Sequence, residues 1–216
     1  MRHRHVIWDW NGTLLDDAWL CVEILNGLMR EAGLQPLTVE DYRADFSFPV
    51  IGFYERRGFN FRTHSFDDVS KRYITEYNRR RYECQLQRGA HDALARLRAA
   101  GIEQSVLSAY REDTLREAVT HYGLAEYFTR LSGLDNIRAD GKLARGRAHL
   151  RDIALHEAPH TVVLIGDTAH DHEVAEALGA DCLLLHHGHM LPERLDGRGA
   201  PLAASLTEAV EWVLAN

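Results

Sequence analysis

Apolar residues follow two different spacings along the chain, one before about residue 87 and one after it. The chain opens with the apolar run HVIWDW over residues 5 to 10, which the turn signal Asn11-Gly12 ends, so we predict a buried strand. Patterns with helical spacing follow, over residues 18 to 33, 39 to 46 and 67 to 83. No convincing strand pattern lies among them. Residues 17 to 87 are therefore predicted to form an all-helical insertion.

After residue 87 the pattern changes to short apolar runs that alternate with helical stretches. The predicted order is helix 89 to 100, strand 102 to 107, helix 112 to 122, strand 129 to 134, helix 143 to 156, strand 161 to 166, helix 171 to 178, strand 181 to 185 and helix 205 to 214. This alternation predicts a parallel sheet covered by helices on both faces. The first strand must join that sheet, because a lone strand cannot satisfy its backbone.

The predicted fold class is therefore α/β, with a Rossmann-like parallel sheet flanked by helices and an inserted helical domain. Residues 1 to 16 and 88 to 216 are expected to form the core domain, and residues 17 to 87 the inserted domain. A chain of 216 residues suffices for one core and a smaller insertion. The composition, 45% hydrophobic and 26% charged, is typical of globular proteins and excludes fibrous and disordered classes.

Composition and charge also limit the partners and the location. No apolar run approaches the roughly 20 residues of a membrane span, and no signal-peptide pattern opens the chain, so we expect a cytoplasmic protein without a membrane partner. The net charge of -7 argues against a nucleic-acid partner. The three cysteines are few and widely spaced, which is typical of reduced packing residues. The sequence leaves open whether the protein is a monomer or a homodimer.

Four polar segments lie at or just after predicted strand ends, or in the loops that follow them. They are Asp9 to Thr13, Ser108, Lys142 and Gly166 to Asp171. In open α/β sheets this edge binds ligands. Together and in this order, the segments resemble the four motifs of the haloacid dehalogenase superfamily, in which a cap domain is inserted after the first motif. The resemblance covers nearly the whole chain and is closest to the phosphoglycolate-phosphatase-like branch with a helical, C1-type cap.

This resemblance implies a Mg²⁺-dependent phosphohydrolase that acts on a small phosphorylated metabolite. Asp9 would be the nucleophile and would form an aspartyl-phosphate intermediate. Because a phosphate ester repels a carboxylate, attack by Asp9 requires cations that neutralise both partners. Mg²⁺ prefers oxygen ligands, and the predicted set is Asp9, Asp167, Asp171 and the backbone carbonyl of Asn11.

The remaining predicted site residues would hold the phosphoryl group. Lys142 would offset negative charge, while the hydroxyl of Ser108 and the amide of Ala109 would bind phosphoryl oxygens. Thr13 is expected to support the nucleophile loop and the bound phosphate, and Arg56 is a candidate substrate contact from the insertion. A serine after a strand is often a cap and a loop lysine is usually solvated, so each of these assignments depends on the ordered combination. Arg145 and Arg147 are the alternatives to the lysine.

Asn11 departs from the pattern of the superfamily. Most of its phosphatases have a second aspartate there, a general acid/base worth about 10²- to 10⁴-fold in rate, and an amide cannot transfer protons in its place. Three interpretations stay open: a substrate such as an acyl phosphate or diphosphate, whose leaving group needs little protonation; replacement of the acid by His170 or His172; or slow turnover at a site that mainly binds.

Two alternative functions follow from this departure. The protein could be a catalytically weakened phosphate-binding or regulatory member of the superfamily. It could also be a phosphonatase-like hydrolase, for which Lys71, the only lysine of the insertion, would have to form an imine. The run His186-His187-Gly188-His189 predicts loop polarity near the active edge rather than a zinc site, because neighbouring side chains of a strand point to opposite faces.

Overall fold

In the computed structural model, which describes residues 2 to 63, 65 to 134 and 142 to 216, a six-stranded parallel sheet forms the centre of the fold. The strands of the described residues are β1 (His5–Trp8), β2 (Leu15–Asp16), β3 (Gln85–Leu86), β4 (Glu103–Arg111), β5 (Arg130–Leu134), β6 (Val162–Gly166), β7 (Asp181–Leu185) and β8 (Leu202–Ala203). The order across the large sheet is β5-β4-β1-β6-β7-β8, and all its strand pairs are parallel.

The helices of the described residues either cover this sheet or build the insertion. They are α1 (Ala18–Glu31), α2 (Val39–Asp45), α3 (Val50–Arg56), α4 (Phe66–Arg80), α5 (Ala90–Ala99), α6 (Glu112–His121), α7 (Lys142–Asp152), α8 (Ala169–Leu178), α9 (Pro192–Leu195) and α10 (Leu206–Ala215). None of the helices in these ranges combines the length and the apolar character needed to cross a membrane.

Strand β1 lies at the middle of the sheet and pairs with β4 on one side and β6 on the other. Trp8, its last residue, is level with Val106 of β4 and Ile165 of β6. Because parallel strands point the same way, the residues that follow these three positions meet at one edge of the sheet. This register brings the first and last of the predicted motifs together.

The sheet is buried on both faces, as a parallel sheet requires. Every residue of β1 and of β6 is buried, and their apolar side chains alternate between two apolar clusters. Val6 and Trp8 pack in a cluster shared with α5, α6 and α10, whereas Ile7 packs in a cluster shared with α7 and α8. The hydrophobic core therefore fixes the position of the first strand from both sides.

The insertion leaves and rejoins the core through the antiparallel pair β2 and β3, in which Leu15 is opposite Leu86. Helices α1 to α4 follow β2, and their apolar residues belong to the same cluster as the sheet face covered by α5. Buried aromatic rings fill the space among these helices, and the rings of Tyr42 and Phe53 meet edge to face at 5.6 Å. The helical segments are consistent with a cap over the core.

Several element bounds differ from the sequence-based prediction. Strand β1 ends at Trp8, so Asp9 lies beyond it, while β4 continues to Arg111 with an irregular register after Leu107. The pair β2 and β3, the edge strand β8 and the short helix α3 were not predicted. Strands of two residues are too short to show a period. The helix predicted over residues 143 to 156 ends earlier, since α7 stops at Asp152 and the backbone of Ala154 has a positive φ of 57°, which is not helical.

Candidate active site

Three buried carboxylates converge at the carboxyl edge of the sheet. Asp9 is the first residue after β1, Asp167 the first after β6, and Asp171 lies in the first turn of α8. One oxygen from each lies within 4.8 Å of the others. Asp171 is oriented by a capping box, in which its Oδ2 accepts hydrogen bonds from the Thr168 backbone N–H at 3.0 Å and hydroxyl at 2.6 Å.

Lys142 joins this cluster from the first position of α7. Its Nζ donates to Asp9 Oδ1 at 2.7 Å and to Asp171 Oδ1 at 2.5 Å, and the residue is 3% exposed. Burial lowers the pKa of Lys142, but the two carboxylates more than offset this and hold the pKa above its usual value. The side chain is therefore a fixed positive charge between the nucleophile candidate and α8.

Asp167 is held by contacts from two loops. Its Oδ1 accepts from the Thr13 hydroxyl at 2.7 Å, and its Oδ2 accepts from the backbone N–H of His189 at 2.6 Å. Gly12 and Gly188 let these loops approach, since a Cβ at either position would lie 2.3 Å or 2.0 Å from Asp167 Oδ2. Thr13 therefore positions the carboxylate of Asp167.

The cluster carries more negative charge than Lys142 can balance. Burial raises the pKa of Asp9 to about 7, with the attraction of Lys142 acting in the opposite direction and the other two carboxylates adding to the rise. Burial likewise raises the pKa of Asp167. Mg²⁺ prefers oxygen ligands and is bound through carboxylates. Asp9, Asp167 and Asp171 thus fit a Mg²⁺ ion by donor type and charge, and they converge on one place in the fold.

A cavity of about 160 Å³ adjoins the cluster. Several of the predicted site residues line it: Asp9, Asn11, Ser108, Ala109 and Lys142. Ser108 is buried within β4, and its Oγ accepts from the backbone N–H of Tyr110 at 3.1 Å. The structure therefore brings the nucleophile candidate, the predicted phosphate-binding residues and the lysine to one space.

The side chain of Asn11 is fixed by the insertion. Its Nδ2 donates to Asp17 Oδ2 and to the hydroxyl of Tyr77, each at 2.7 Å. The Tyr77 hydroxyl in turn donates to Asp17 Oδ2 at 2.7 Å. The amide hydrogens of Asn11 are therefore used inside the protein.

Asp17 and His189 form a buried pair that the sequence did not predict. Asp17 Oδ1 accepts from the backbone N–H of Gly12 at 2.9 Å and from His189 Nε2 at 3.2 Å, and the other ring nitrogen of His189 is 2.9 Å from the Tyr42 hydroxyl. Burial raises the pKa of Asp17, but His189 and the hydrogen bonds lower it by more. Burial lowers the pKa of His189, and Asp17 reverses this and raises it to about 9.

The only sequence signal for this pair was the histidine run itself. His189 does lie at the active edge, as predicted for that run, but it is buried and paired rather than part of a solvated loop. Asp17 lies 172 positions away, directly before α1. Neither helical spacing nor a turn motif distinguishes it from its neighbour Asp16.

Arg56 is not brought to the cavity. Its guanidinium donates to the side chain of Asp45 at 2.9 Å and to Ser47 Oγ at 2.7 Å, so a local carboxylate within the insertion satisfies it. Arg145, an alternative to the lysine, pairs with Glu112 instead. Lys71 is exposed on α4 and does not line the cavity, so the structure gives the phosphonatase interpretation no support.

The family model for haloacid dehalogenase-like hydrolases matches residues 6 to 185, most of the chain. The chain therefore belongs to this family. The resemblance predicted from the sequence is confirmed, and so is the Rossmann-like α/β fold class.

Comparisons with individual proteins show similarity in sequence and in fold. The chain is 26% identical over 196 residues to the tyrosine-protein kinase PtkA of Mycobacterium tuberculosis, in an alignment that covers 88% of this chain. It spans 65% of the length of PtkA. The crystal structure of a predicted phosphatase from Clostridium acetobutylicum superimposes with a TM-score of 0.80, 20% identity and 99% coverage of both chains. A predicted phosphoglycolate phosphatase from Haemophilus somnus gives a TM-score of 0.79, 14% identity and 98% coverage of both chains.

Proposed function

We propose that this protein is a Mg²⁺-dependent phosphohydrolase that transfers the phosphoryl group of a small phosphorylated metabolite to Asp9 and then to water. The observation that carries the proposal is the buried cluster of three carboxylates and one lysine beside a cavity. Both solved structures described above are named as phosphatases, which supports the same activity.

In the first step, a carboxylate oxygen of Asp9 attacks phosphorus and the bond to the leaving-group oxygen breaks. A water molecule then attacks the phosphorus of the aspartyl phosphate, which releases inorganic phosphate and restores the carboxylate. Lys142 lies 2.7 Å from Asp9 and neutralises charge on the nucleophile and on the transferred group. The hydroxyl of Ser108 and the amide of Ala109 bind phosphoryl oxygens.

Asp9, Asp167, Asp171 and the backbone carbonyl of Asn11 would hold the Mg²⁺. When bound, the ion supplies Lewis-acid stabilisation of the negative charge that develops on the phosphoryl oxygens. The excess of buried carboxylates over Lys142 supports this part of the proposal. It also predicts that the ion stabilises the fold, because it neutralises charges that are costly to bury.

Residues 17 to 87 act as a cap domain, and residues 1 to 16 and 88 to 216 as the core domain. The cap covers the cavity and excludes water during the first step. The hydrogen bonds of Tyr77 to Asn11 and Asp17 support a closed position as the resting arrangement. A cytoplasmic location and the absence of nucleic-acid and membrane partners stay predictions, and the oligomeric state stays open.

Trapping the intermediate tests the proposal. The protein is incubated with p-nitrophenyl phosphate and Mg²⁺, quenched in acid and reduced with borohydride, which converts an aspartyl phosphate to homoserine. We expect mass spectrometry to find homoserine at position 9 in the wild type and in the control Asp92→Asn, an exposed residue of α5. Asp9→Asn should release no phosphate.

The same experiment separates the second candidate function, which the amide at position 11 favours. A phosphate-binding or regulatory protein would bind inorganic phosphate with Mg²⁺ in calorimetry, yet give neither homoserine nor phosphate release. Phosphate release by Asp9→Asn at the wild-type rate would refute the role of Asp9.

A further inference from the structure

The cavity beside Asp9 has two chemically different kinds of lining. Asp9, Ser108 and Lys142 supply polar groups next to the carboxylate cluster, and aromatic side chains form much of the rest of the wall. Most of these rings come from the insertion, among them Phe46, Phe48, Phe53, Tyr54, Tyr73 and Tyr77. Apolar walls with a few polar groups at one end are typical of sites that bind a ligand with one charged end.

The charged side chains of the wall are paired with one another within the protein. Among the described residues that line the cavity, the cationic side chains are Lys142, which pairs with Asp9 and Asp171, and His189, which pairs with Asp17. The wall therefore offers no unpaired positive charge for a second anionic group such as a carboxylate.

Three of the five tyrosine hydroxyls that line the cavity are committed in the same way. Those of Tyr42 and Tyr77 bond to His189 and Asp17, and that of Tyr110 donates to Asn78 Oδ1 at 2.5 Å. A sugar or a polyol would find few partners for its hydroxyls here, so burying one would leave polar groups unsatisfied. An uncharged aromatic ring loses nothing by entering, and it can pack against the rings of the wall.

The amide of Asn11 points independently to the same class of substrate. The side chain at position 11 is an amide, which cannot protonate a leaving oxygen, and its Nδ2 already donates to Asp17 and Tyr77. A phenol has a pKa of about 10, close to that of tyrosine, so its anion leaves without help. An aliphatic alcohol, with a pKa nearer to the roughly 15.7 of water, does not.

The cavity is of a size suited to one aromatic ring. At about 160 Å³ it is close to the roughly 150 Å³ of a protein cavity that binds benzene. We propose that the substrate is a phosphate monoester of a single-ring aromatic alcohol, with the ring held against the aromatic wall of the insertion and the phosphoryl group at Asp9. This inference rests on the proposed phosphohydrolase function and specifies its substrate class.

Binding of phosphonates, which have no leaving group, tests the wall separately from catalysis. Calorimetry with Mg²⁺ compares phenylphosphonate, methylphosphonate and phosphonoacetate. We expect phenylphosphonate to bind at least about tenfold more tightly than methylphosphonate, from burial of the ring. Phosphonoacetate, with its second charge, should bind no more tightly than methylphosphonate. Equal affinities for the phenyl and methyl compounds would overturn the inference.

Two variants locate the ring. Phe48 and Tyr73 are half-buried at the cavity and lie in different parts of the insertion. Phe48→Leu and Tyr73→Leu keep most of the volume, so both should fold, and we expect each to reduce the phenyl preference about three- to tenfold while affinity for methylphosphonate stays unchanged. The control Tyr82→Leu alters an exposed aromatic residue outside the cavity and should change neither affinity. Unchanged preference in both cavity variants would overturn the inference.

Turnover distinguishes failure of this inference from failure of the proposed function. We expect kcat/KM for phenyl phosphate to exceed that for cyclohexyl phosphate at least about 100-fold. Comparable turnover of the two esters would overturn the aromatic substrate class and leave the phosphohydrolase intact. Absence of phosphate release from either ester, and from p-nitrophenyl phosphate, would instead refute the phosphohydrolase and the inference with it.

Discussion

Asn11→Asp restores the residue usual for phosphatases of the superfamily, yet the structure predicts that it destabilises this protein. The amide nitrogen lies 2.7 Å from Asp17 Oδ2 and donates to it. The substitution replaces that donor by an oxygen and places two carboxyl groups in contact. Two carboxylates at such a distance cannot both be ionised, so the pair must hold a proton.

The cost follows from the pKa of a free carboxyl group. Keeping a proton at pH 7 on a group whose pKa is about 3.9 in the unfolded chain costs about 4 kcal/mol, since each pKa unit is about 1.4 kcal/mol. His189 lies on the other oxygen of Asp17 and reduces this cost, so 4 kcal/mol is an upper value. The pair has a raised pKa in the folded state, so the folded state binds more protons than the unfolded one. The penalty is therefore absent near pH 4 and grows as the pH rises.

Urea denaturation from pH 4 to pH 8 measures the effect. We expect the free energy of unfolding of Asn11→Asp, relative to wild type, to fall by up to about 1.4 kcal/mol per pH unit above pH 4 until it levels off. The double variant Asn11→Asp/Asp17→Asn exchanges the two groups and should recover part of the loss. A single variant as stable as wild type at pH 8 would refute this account of the contact.

Two further predictions concern buried titratable side chains. Lys142→Met should lower phosphate release at least about 100-fold and destabilise the metal-free protein by about 3 to 5 kcal/mol, because it leaves buried carboxylates without their cation. The matched control is Lys71→Met, which alters an exposed lysine and should change neither the rate of phosphate release nor the stability. His5 and His149 share the buried Ser105 hydroxyl, each at 2.7 Å, and burial lowers their pKa values to about 4 and about 3. Because the unfolded chain then binds more protons, stability should fall by up to about 2.7 kcal/mol per pH unit as the pH drops from 6.5 towards 4, and His149→Asn should about halve that slope in urea titrations. Equal slopes for wild type and His149→Asn would contradict the prediction.

The parts of this protein that could be predicted from sequence are those encoded locally. The apolar run before Asp9 and the strand before Asp167 predict a parallel sheet. Because the carboxyl ends of parallel strands lie at the same edge, both carboxylates are placed there independently of the conformation of the connecting loops. Lys142 and Ser108 follow from their positions in the same pattern. The family membership of the chain confirms the resemblance and the fold class, and the roles of these four residues stay predictions.

The parts that could not be predicted depend on contacts between distant segments. The pair of Asp17 and His189 joins positions 172 apart, and no local pattern shows that these two side chains meet. Arg56 failed as a substrate contact for the opposite reason, since Asp45 is near enough in the insertion to satisfy it first. The positive charge of Arg56 alone did not show whether a substrate anion or a carboxylate of the insertion would be its partner.

The carboxylate of Asp17 touches both the nucleophile loop, through Gly12 and Asn11, and the insertion, through Tyr77. The orientation of the loop and the placement of the insertion are thus thermodynamically linked. A molecule that binds one placement of the insertion more tightly would change the affinity of the loop for its ligand by some factor, and that ligand would change the affinity of the insertion by the same factor. A ligand bound against the insertion and a phosphoryl group bound at the loop would consequently each change the affinity for the other by the same factor.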